Sequence, residues 1–574
     1  MRARGFLIIA TTTLLMALFR LAPADFTAGL AAQGRGTALG GVVSSQEEGK
    51  MEGVVVSARR DGANFTVSVV SDAQGRYSFP RSHVAPGKYV VTIRAVGYDL
   101  TDPGPAEVTA GKAASLDLKL QKTKDLSSQL SSLEWAMSMP GPAEQKDRFV
   151  YQGASCAYCH TYERIVKSKH TAEEFVDVIS RMQSYFLDGT AVSGDRGRAP
   201  KNPPEAQAAS AKNPNWGGVS KVELGRYLAT VNLSGGRTTW PYELKTLPRP
   251  RGKATRVILT QWDLPRKDTV PHDMTVDATG NPWYADQSRM FIGKLDPKSS
   301  TFTEYPLPPL PAGRPGGISD IDVDRDGNLW FPATPMEGNC HFGTPTKFDP
   351  RTQKLTTVET ANKDCLQFVG VGPDGKVWMN NTQVMVRIDP TTTKVDGTFY
   401  FNKGASVPAG PHVGYQVVLN SKGNAYIADF SGSYIIGVNG SSGESKFWPT
   451  PTRPVLPRRG QMDAQDRYWF TEYGGDKIDM FDTRTEKFQV WPVQHKYTTP
   501  YAASRPDRNG RVYASSNMSE RVLRLDPKTG EIIEYQVPTY FDSKKLLHDP
   551  TASRVTLWMA NTRSARLLRV EPQD

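Results

Sequence analysis

Two cysteines and a histidine near residue 156 carry the clearest potential for chemistry. Cys156, Cys159 and His160 form a Cys-x-x-Cys-His motif. Two thiols at this spacing can add to the vinyl groups along one porphyrin edge, and the adjacent imidazole can then ligate the iron. The motif predicts one covalently attached haem c, with His160 as the proximal iron ligand. A redox dithiol or half of a zinc site are the competing interpretations, but no second Cys-x-x-Cys exists for zinc.

The residues after the motif offer two candidates for the sixth iron ligand. Met182 ends an apolar stripe with Phe175, Val178 and Ile179 at helical spacing. A thioether ligand raises the haem potential into the electron-transfer range, so we expect Met182 to be the distal ligand. His170 is the rival candidate, and a role for Met182 in the helix core stays open.

A second group of candidates lies in the C-terminal region. His272, Asp286 and Glu472 are residue types that perform acid–base chemistry or bind cations. They are catalytic candidates, and whether they can act together depends on the repeat that positions them.

The last 320 residues contain a repeat whose units each begin a strand with a large aromatic residue. These aromatics recur at intervals of 43 to 48 residues, at Trp283, Trp330, Trp378, Tyr426, Trp469, Tyr513 and Trp558. Tight turns precede most of them, as at Asp326-Gly327, and an alternating strand ends each unit. The pattern predicts seven propeller blades of four antiparallel strands. The strand 257–265 precedes the first unit, and we expect it to complete blade seven and close the ring.

This architecture places the second group of candidates on one rim. The innermost strand and the aromatic strand of a blade form a hairpin, so the start of one meets the end of the other. His272 begins an inner strand and Asp286 ends its partner, so the two should face each other. The rim offers three carboxylates and up to three histidines, which could bind a cation or a polar substrate. A solvated channel mouth is the alternative.

The N-terminal part of the chain indicates export followed by a small β domain. Arg2 and Arg4 precede an apolar stretch that is too short to span a bilayer, so residues 1–24 are predicted to be a secretory signal peptide. We therefore expect a periplasmic or otherwise exported protein without a stable membrane span after cleavage. Short alternating strands over 36–122 predict a β-sandwich, with His83 solvated in a loop.

Between the sandwich and the propeller the sequence predicts a linker and a helical domain. Residues 123–143 are polar and rich in turn formers, as expected of a linker that starts with a helical turn. Residues 144–235 hold the haem motif, a helix over 171–182 and a closing helix over 220–229. The propeller should occupy 254–574. Together these predict a multidomain, mainly β fold.

Charge and the remaining cysteines add two expectations. The net charge is +11, yet no run of four basic residues occurs, so the charge is dispersed and we expect no nucleic-acid partner. Cys340 and Cys365 lie 25 residues apart and could form a disulfide in an oxidising compartment, or remain buried thiols.

Three parts of the chain each resemble a known family. In the first part, residues 71–79, 86–89 and 97–98 resemble the carboxypeptidase regulatory-like domain. This resemblance implies a prealbumin-like, carbohydrate-binding-like fold that lacks catalytic residues and could contact a glycan. The order of haem motif, helix and closing helix with Tyr227-Leu228 resembles class I cytochrome c. Phrases such as Trp469-Phe470-Thr471-Glu472 resemble the virginiamycin B lyase (streptogramin lyase) propeller.

The lyase resemblance implies histidines and glutamates on the rim and Mg²⁺ as the electrophile in a C–O elimination. The sequence departs from that pattern, because Arg458, Tyr501 and Ser516 stand where His or Glu is expected. The residues therefore favour an electron-transfer haem protein, either alone or as part of an oxidoreductase, whose propeller binds a redox partner protein or a small-molecule substrate. A lyase with an accessory haem domain, and a surface carbohydrate- or protein-binding module, are the alternatives.

Overall fold

The computed structural model describes most of the chain. The described residues are 36–153, 156–183, 208, 211–216, 218–309, 316–335, 343–360, 366–381, 383–402 and 407–574. The predicted signal peptide and both Cys340 and Cys365 lie outside them. Within the described part of the chain, no helix is long and apolar enough to cross a membrane.

The C-terminal region forms the predicted β-propeller, whose seven blades each consist of antiparallel strands from an inner to an outer position. One parallel pair, Arg459 with Ala502, also joins the inner strands of blades five and six. Blade one comprises Pro271–Val276, Pro282–Asp286, Phe291–Asp296 and Thr301–Pro306; blade two Gly316–Ile318 with Asp322–Val323, Leu329–Pro335, Thr344–Asp349 and Lys354–Thr357; blade three Phe368–Val371, Val377–Asn380, Val384–Asp389 and Lys394–Tyr400; blade four Gly414–Leu419, Ala425–Asp429, Tyr434–Val438 and Ser445–Pro449; blade five Pro457–Met462, Arg467–Glu472, Lys477–Asp482 and Lys487–Pro492; blade six Pro500–Ala503, Val512–Ser516, Arg521–Asp526 and Glu531–Gln536; blade seven Leu546–His548, Leu557–Asn561, Arg566–Pro572 and Val257–Asp263.

The outer strand of blade seven comes from the N-terminal side of the propeller, as expected. Val257–Asp263 pairs antiparallel with Arg566–Pro572 along its whole length. Because this pairing joins the two ends of the propeller sequence in one sheet, the ring closes without an open edge between its first and last blades.

An aspartate explains why the aromatic residues recur with tight turns before them. In blade two, Asp324 Oδ1 accepts backbone N–H groups of the turn, and its Oδ2 accepts the Trp330 indole N–H at 2.8 Å. Gly327, the fourth residue of that turn, has φ +80°, a conformation that suits glycine. Asp463 binds Trp469 at 2.9 Å in the same way. One carboxylate thus fixes both the turn and the aromatic residue that packs between blades.

The N-terminal sandwich consists of two sheets that share one apolar core. Its strands are Thr37–Ser45, Gly49–Lys50, Val55–Arg60, Phe65–Val70, Arg76–Pro80, Gly87–Arg94, Tyr98–Leu100, Ala106–Val108, Ala114–Ser115 and Leu118–Lys122. These strands agree with the alternating pattern of the sequence.

The sandwich and the propeller share a continuous sheet, which the sequence did not predict. Phe65–Val70 pairs antiparallel with the outer strand of blade seven, so that blade continues into one sandwich sheet. His83 is not solvated as expected, because its Nε2 lies 2.9 Å from Glu571 Oε2 of blade seven. The sandwich is therefore built onto the propeller by backbone pairing and side-chain contacts.

The segment between sandwich and propeller is helical and surrounds an apolar core of its own. Its helices and turns are Leu126–Gln129, Ser132–Ser138, Ala143–Asp147, Arg148–Gly153, Cys156–Cys159, Glu163–Val166, Ala172–Gln183 and Lys221–Val231, with short strands Asn215–Trp216 and Val219–Ser220 and a 3₁₀ turn Gly252–Thr255. The two predicted helices are present. They cross so closely that a Cβ at Gly225 would lie 2.5 Å from the Ala172 carbonyl oxygen.

The predicted linker differs from the expectation. Residues Ser132–Ser138 form a buried helix that starts with a capping box between Ser131 and Glu134. Glu134 also accepts the Leu247 backbone N–H at 2.8 Å, and Trp135 packs edge-on against Trp240 at 5.2 Å between ring centroids. The sequence pattern predicts a linker here because the hydrogen-bonding partners of these polar residues lie more than 100 residues away in the chain.

Candidate functional site

The Cys-x-x-Cys-His motif forms a compact turn within the helical segment. Cys156–Cys159 is a single helical turn, and the His160 backbone N–H continues it by donating to the Cys156 carbonyl at 3.4 Å. Cys156 is buried, and Tyr162 beyond the turn is fully buried against Phe149 at 4.9 Å between ring centroids. The turn is therefore held by apolar packing directly after it.

The surroundings of His160 favour a neutral imidazole with one nitrogen available. Its Nδ1 lies 2.9 Å from the Thr161 carbonyl oxygen, an acceptor, so Nδ1 carries the proton and Nε2 keeps its lone pair. Burial, together with the charges of Arg164 and Arg563, lowers the pKa of His160 to about 4. A neutral imidazole oriented by a carbonyl is the form that ligates metals.

The motif lies on the propeller rim where inner strands begin. Tyr162 Oη contacts Met518 Sδ at 3.9 Å, and the Leu133 N–H donates to the Met518 carbonyl at 3.0 Å. Met518 follows the end of the blade six aromatic strand, which marks that rim. Tyr151 donates to Asp476 of blade five, whose pKa burial raises to about 6. The helical segment thus covers part of the rim around blades five and six.

His160 lines a cavity of about 900 Å³. Three parts of the chain form its wall: the sandwich around 91–103, the helical segment at 128–130 and 160–167, and the propeller at Glu520 and 538–540. Neither Met182 nor His170 is among the described residues that line it. Met182 is half-buried near the end of its helix, and the His170 side chain is exposed beside Glu174. Their role as iron ligands therefore stays a prediction.

The structure pairs the strands of His272 and Asp286 but gives the two side chains different partners. Pro271 is the backbone partner of Asp286, as the hairpin geometry predicted. His272 Nδ1 instead lies 2.8 Å from both Asp273 Oδ2 and the Ser319 carbonyl oxygen. Asp286 forms an ion pair with Arg266 at 3.1 Å and accepts the Val270 N–H at 3.1 Å. The expected contact between the His272 and Asp286 side chains is wrong, because each side chain binds other groups instead.

Glu472 is a buried carboxylate held within blade five. Its Oε2 lies 3.1 Å from Lys477 Nζ. Burial, and then the charge and hydrogen bond of Glu472, raise the pKa of Asp479 well above its usual range. Burial and the neighbouring Glu472 charge therefore favour the protonated form of Asp479.

Three rim positions that depart from the lyase pattern carry structural contacts. The Arg458 guanidinium lies 4.0 Å from the Phe430 ring centroid and 4.9 Å from that of Tyr501, and two further tyrosine rings surround it. Ser516 donates to the Thr498 carbonyl at 2.6 Å. These groups close the rim by cation–π packing and hydrogen bonding.

Sequence reasoning missed a set of ion pairs across the propeller axis, here called the central ion-pair network. It comprises Asp273 and Arg459, joined at 2.5 Å, and Asp320 and Lys545, joined at 3.0 Å. All four side chains are buried. Burial alone would raise the pKa of Asp273, but the Arg459 charge and the His272 hydrogen bond hold it below its usual value. This network could not be predicted from the sequence, because its four residues come from four different blades.

A histidine of blade four is the best-defined titrating group on the rim. His412 Nδ1 lies 2.7 Å from Asp429 Oδ2, and Nε2 lies 2.8 Å from the Pro408 carbonyl oxygen. Both partners are acceptors, so both ring nitrogens carry protons. Burial alone would lower the pKa of His412, but the hydrogen bonds to Asp429 and Pro408 raise it above its ordinary value.

This raised pKa predicts a pH dependence of stability. The stabilisation by protonated His412 is fully present below its unfolded pKa of about 6.5 and is lost as pH rises through the folded value. We expect the stability difference between the wild type and His412→Gln to be largest in mildly acidic buffer and to shrink above neutrality. Denaturant titrations of both proteins at several pH values measure it. A difference that grows with rising pH would contradict this assignment.

The described residues offer few side chains arranged as metal ligands. No group of three or more His, Cys, Asp or Glu side chains there is arranged to hold a metal ion. The rim candidates for Mg²⁺, His272, Asp286 and Glu472, are each engaged with partners of their own.

Comparison with known proteins identifies one domain. Residues 38–121 match the carboxypeptidase regulatory-like domain family. No curated protein matches the chain. The match agrees with the sandwich strands and with the resemblance in the sequence.

Solved structures resemble the propeller. Virginiamycin B lyase from Staphylococcus aureus is 18% identical, with a TM-score of 0.47, and covers 55% of this chain and 99% of its own. A streptogramin B lyase structure is 17% identical, with a TM-score of 0.47, over 56% and 99% of the two chains. The extracellular domain of a hybrid two component system from B. thetaiotaomicron is 12% identical, with a TM-score of 0.39, over 52% and 39%.

Proposed function

We propose that this chain is an exported c-type haem protein that transfers single electrons, with its propeller as the binding module for a redox partner or a small-molecule substrate. The observation that carries the proposal is the motif turn, in which Cys156 and Cys159 are followed by His160 with its Nδ1 bound to a carbonyl. Export through the predicted signal peptide would bring the thiols to the compartment where such haem is attached.

The donor set fits a covalent haem. Cys156 and Cys159 would form the thioether bonds, and His160 would present Nε2 to the iron. When bound, the haem would supply a one-electron couple. The Thr161 carbonyl keeps the imidazole in one tautomer and one orientation, and the apolar packing of Tyr162 holds the turn in place.

The propeller is the natural place for a partner because the haem motif lies on its rim. Tyr162 and Leu133 contact Met518 there, so the motif and the propeller are adjacent in space. The resemblance of the sandwich to a carbohydrate-binding-like fold makes it the part of the chain that would contact a glycan, which would fit an exported protein. No observation favours lyase chemistry, since His272, Asp286 and Glu472 each have another partner.

The spectrum of the purified protein, exported by a host that matures c-type cytochromes, tests this proposal. A pyridine haemochrome spectrum is expected to show the α band of a c-type haem, and its absence would overturn the proposal. Met182→Ala is expected to lower the reduction potential if the thioether is the sixth ligand. His170→Ala is the matched variant and should leave the potential unchanged; the reverse result would assign the ligand to His170.

A further inference from the structure

The cavity beside His160 lies where all three parts of the chain meet, which is a common position for a ligand site. Its volume of about 900 Å³ is within the range of small-molecule sites. Neither Cys156 nor Cys159 is among the described residues that line it, and many of its side chains are charged. The cavity is therefore a candidate site for a polar ligand other than haem.

Direct contacts between the three parts of the chain hold the cavity walls in place. Arg94 of the sandwich donates from Nη1 to the Val537 carbonyl at 2.7 Å and forms an ion pair with the buried Glu520 of the propeller. Gln129 Nε2 of the helical segment donates to Asp99 Oδ1 of the sandwich at 2.8 Å. The cavity is therefore a fixed feature of the assembled chain.

Two cations of the cavity wall are paired with carboxylates of the same wall. Arg94 pairs with Glu520, and Lys167 Nζ lies 2.7 Å from Glu163 Oε1. Arg164 is exposed and has no ion-pair partner in the part of the chain that the structure describes. Its guanidinium group is therefore available to an anionic group of a ligand.

Two carboxylates on the sandwich wall, Asp99 and Asp102, likewise have no ion-pair partner among the described residues. Asp99 Oδ1 accepts the Gln129 amide at 2.8 Å, and Asp102 Oδ1 accepts the Gly104 backbone N–H at 2.9 Å. Each carboxylate keeps an oxygen that can accept a hydrogen bond from a cationic group of a ligand. The wall thus carries negative charge on the sandwich side and positive charge at Arg164.

These opposite charges lie near opposite ends of the turn Leu126–Gln129. Asp99 binds the last residue of this turn, and Lys167 Nζ lies 3.6 Å from Oδ2 of Asp125, the residue that caps its start. Arg164 precedes Lys167 by three residues, about one helical turn. Four residues of a 3₁₀ turn rise about 8 Å, so the cation and the carboxylates are too far apart to pair with each other.

We propose that this cavity binds a short peptide with free termini, whose ammonium group contacts Asp99 and Asp102 and whose carboxylate contacts Arg164. An extended chain advances about 3.3–3.6 Å per residue, so about two to four residues span the separation of the charges. The hydroxyl groups of Thr92 and Thr161, which also line the cavity, can bind the peptide groups between the termini. The inference goes beyond the proposed function, because none of these side chains takes part in haem attachment.

Isothermal titration calorimetry of the full-length protein tests the site with two probes, trialanine and Ala-Phe-Ala. We expect at least one of them to bind. Its N-acetylated form and its C-terminal amide should each bind about tenfold more weakly, because each lacks one charged contact. Absence of binding by both probes, or equal binding of the free and the blocked peptides, would overturn the inference.

Matched variants locate the two ends of the peptide. Arg164→Gln should weaken binding of the free peptide about tenfold and leave binding of its C-terminal amide unchanged, because the amide has no carboxylate to contact. The double variant Asp99→Asn with Asp102→Asn should weaken the free peptide in the same way and leave the N-acetylated form unchanged. Arg226→Gln and Asp61→Asn change exposed residues outside the cavity wall and should match the wild type.

The remaining outcomes separate this inference from the proposed function. An equal loss of binding in the cavity variants and in their controls would overturn the site. Binding of maltotetraose in place of the peptides would also overturn it and would assign the cavity to a neutral saccharide. A missing α band would overturn the proposed function and leave the peptide site standing. Far-ultraviolet circular dichroism verifies that each variant is folded.

Discussion

Replacing Arg459 with methionine is expected to lower the free energy of unfolding by about 3–5 kcal/mol. Arg459 is fully buried, and its Nη1 donates to Asp273 Oδ1 at 2.5 Å. Methionine fills a similar space but leaves the Asp273 carboxylate buried without its strongest partner. The remaining His272 contact cannot replace a full positive charge. Denaturant unfolding followed by tryptophan fluorescence measures the loss.

The control for this prediction is Arg351→Met. Arg351 also pairs with an aspartate, Asp349, at 3.1 Å, but its side chain is 70% exposed. Water screens such a pair, so Arg351→Met should leave the unfolding midpoint close to that of the wild type. Adding Asp273→Asn to Arg459→Met should recover part of the loss, since no uncompensated charge then remains. Equal midpoints for the two single Arg variants would show that the central ion-pair network contributes little.

Replacing both Cys156 and Cys159 with serine is expected to remove all covalent haem. A serine hydroxyl does not form the thioether bond, and His160 alone would hold haem only by coordination. Haem staining after denaturing electrophoresis should therefore drop from full intensity to background. Either single variant retains one thiol and is expected to keep part of the stain.

Cys340→Ser and Cys365→Ser provide the matched control, since these are the only other cysteines in the chain. Both should keep the full stain, because they lie outside the motif. Stain that persists in the double variant of Cys156 and Cys159 would show that haem is attached elsewhere. Stain that is absent from every variant and from the wild type would count against the proposed function itself.

The local patterns of the sequence were sufficient for most elements. In blades one, two and five the aspartate, the tight turn and the aromatic residue lie within seven residues, as from Asp324 to Trp330, so these blades are recognisable from a short stretch of sequence. The two long helices of the helical segment follow from apolar spacing. The closing strand Val257–Asp263 was recognisable because it matches the outer strands of the other blades.

The arrangement of the candidate site depended on contacts between distant residues. The expected meeting of His272 with Asp286 failed, since Asp273 and Arg266 compete for them. The buried helix Ser132–Ser138 was predicted to be part of a linker, because the hydrogen bond that Glu134 accepts comes from Leu247, far away in the chain. Side-chain contacts between such distant residues leave no periodic pattern in the sequence from which they could be predicted.

The sequence by itself determined the Cys-x-x-Cys-His motif, the β-propeller and the sandwich, because each depends on residue types at short, regular spacing. Only the tertiary structure decided that sandwich and blade seven form one sheet, that four blades meet in the central ion-pair network, and that three parts of the chain enclose His160. The physical reason is that a buried charge needs an oppositely charged partner close in space, and a cavity needs walls on several sides. Tertiary folding supplies both from residues that lie far apart in the chain.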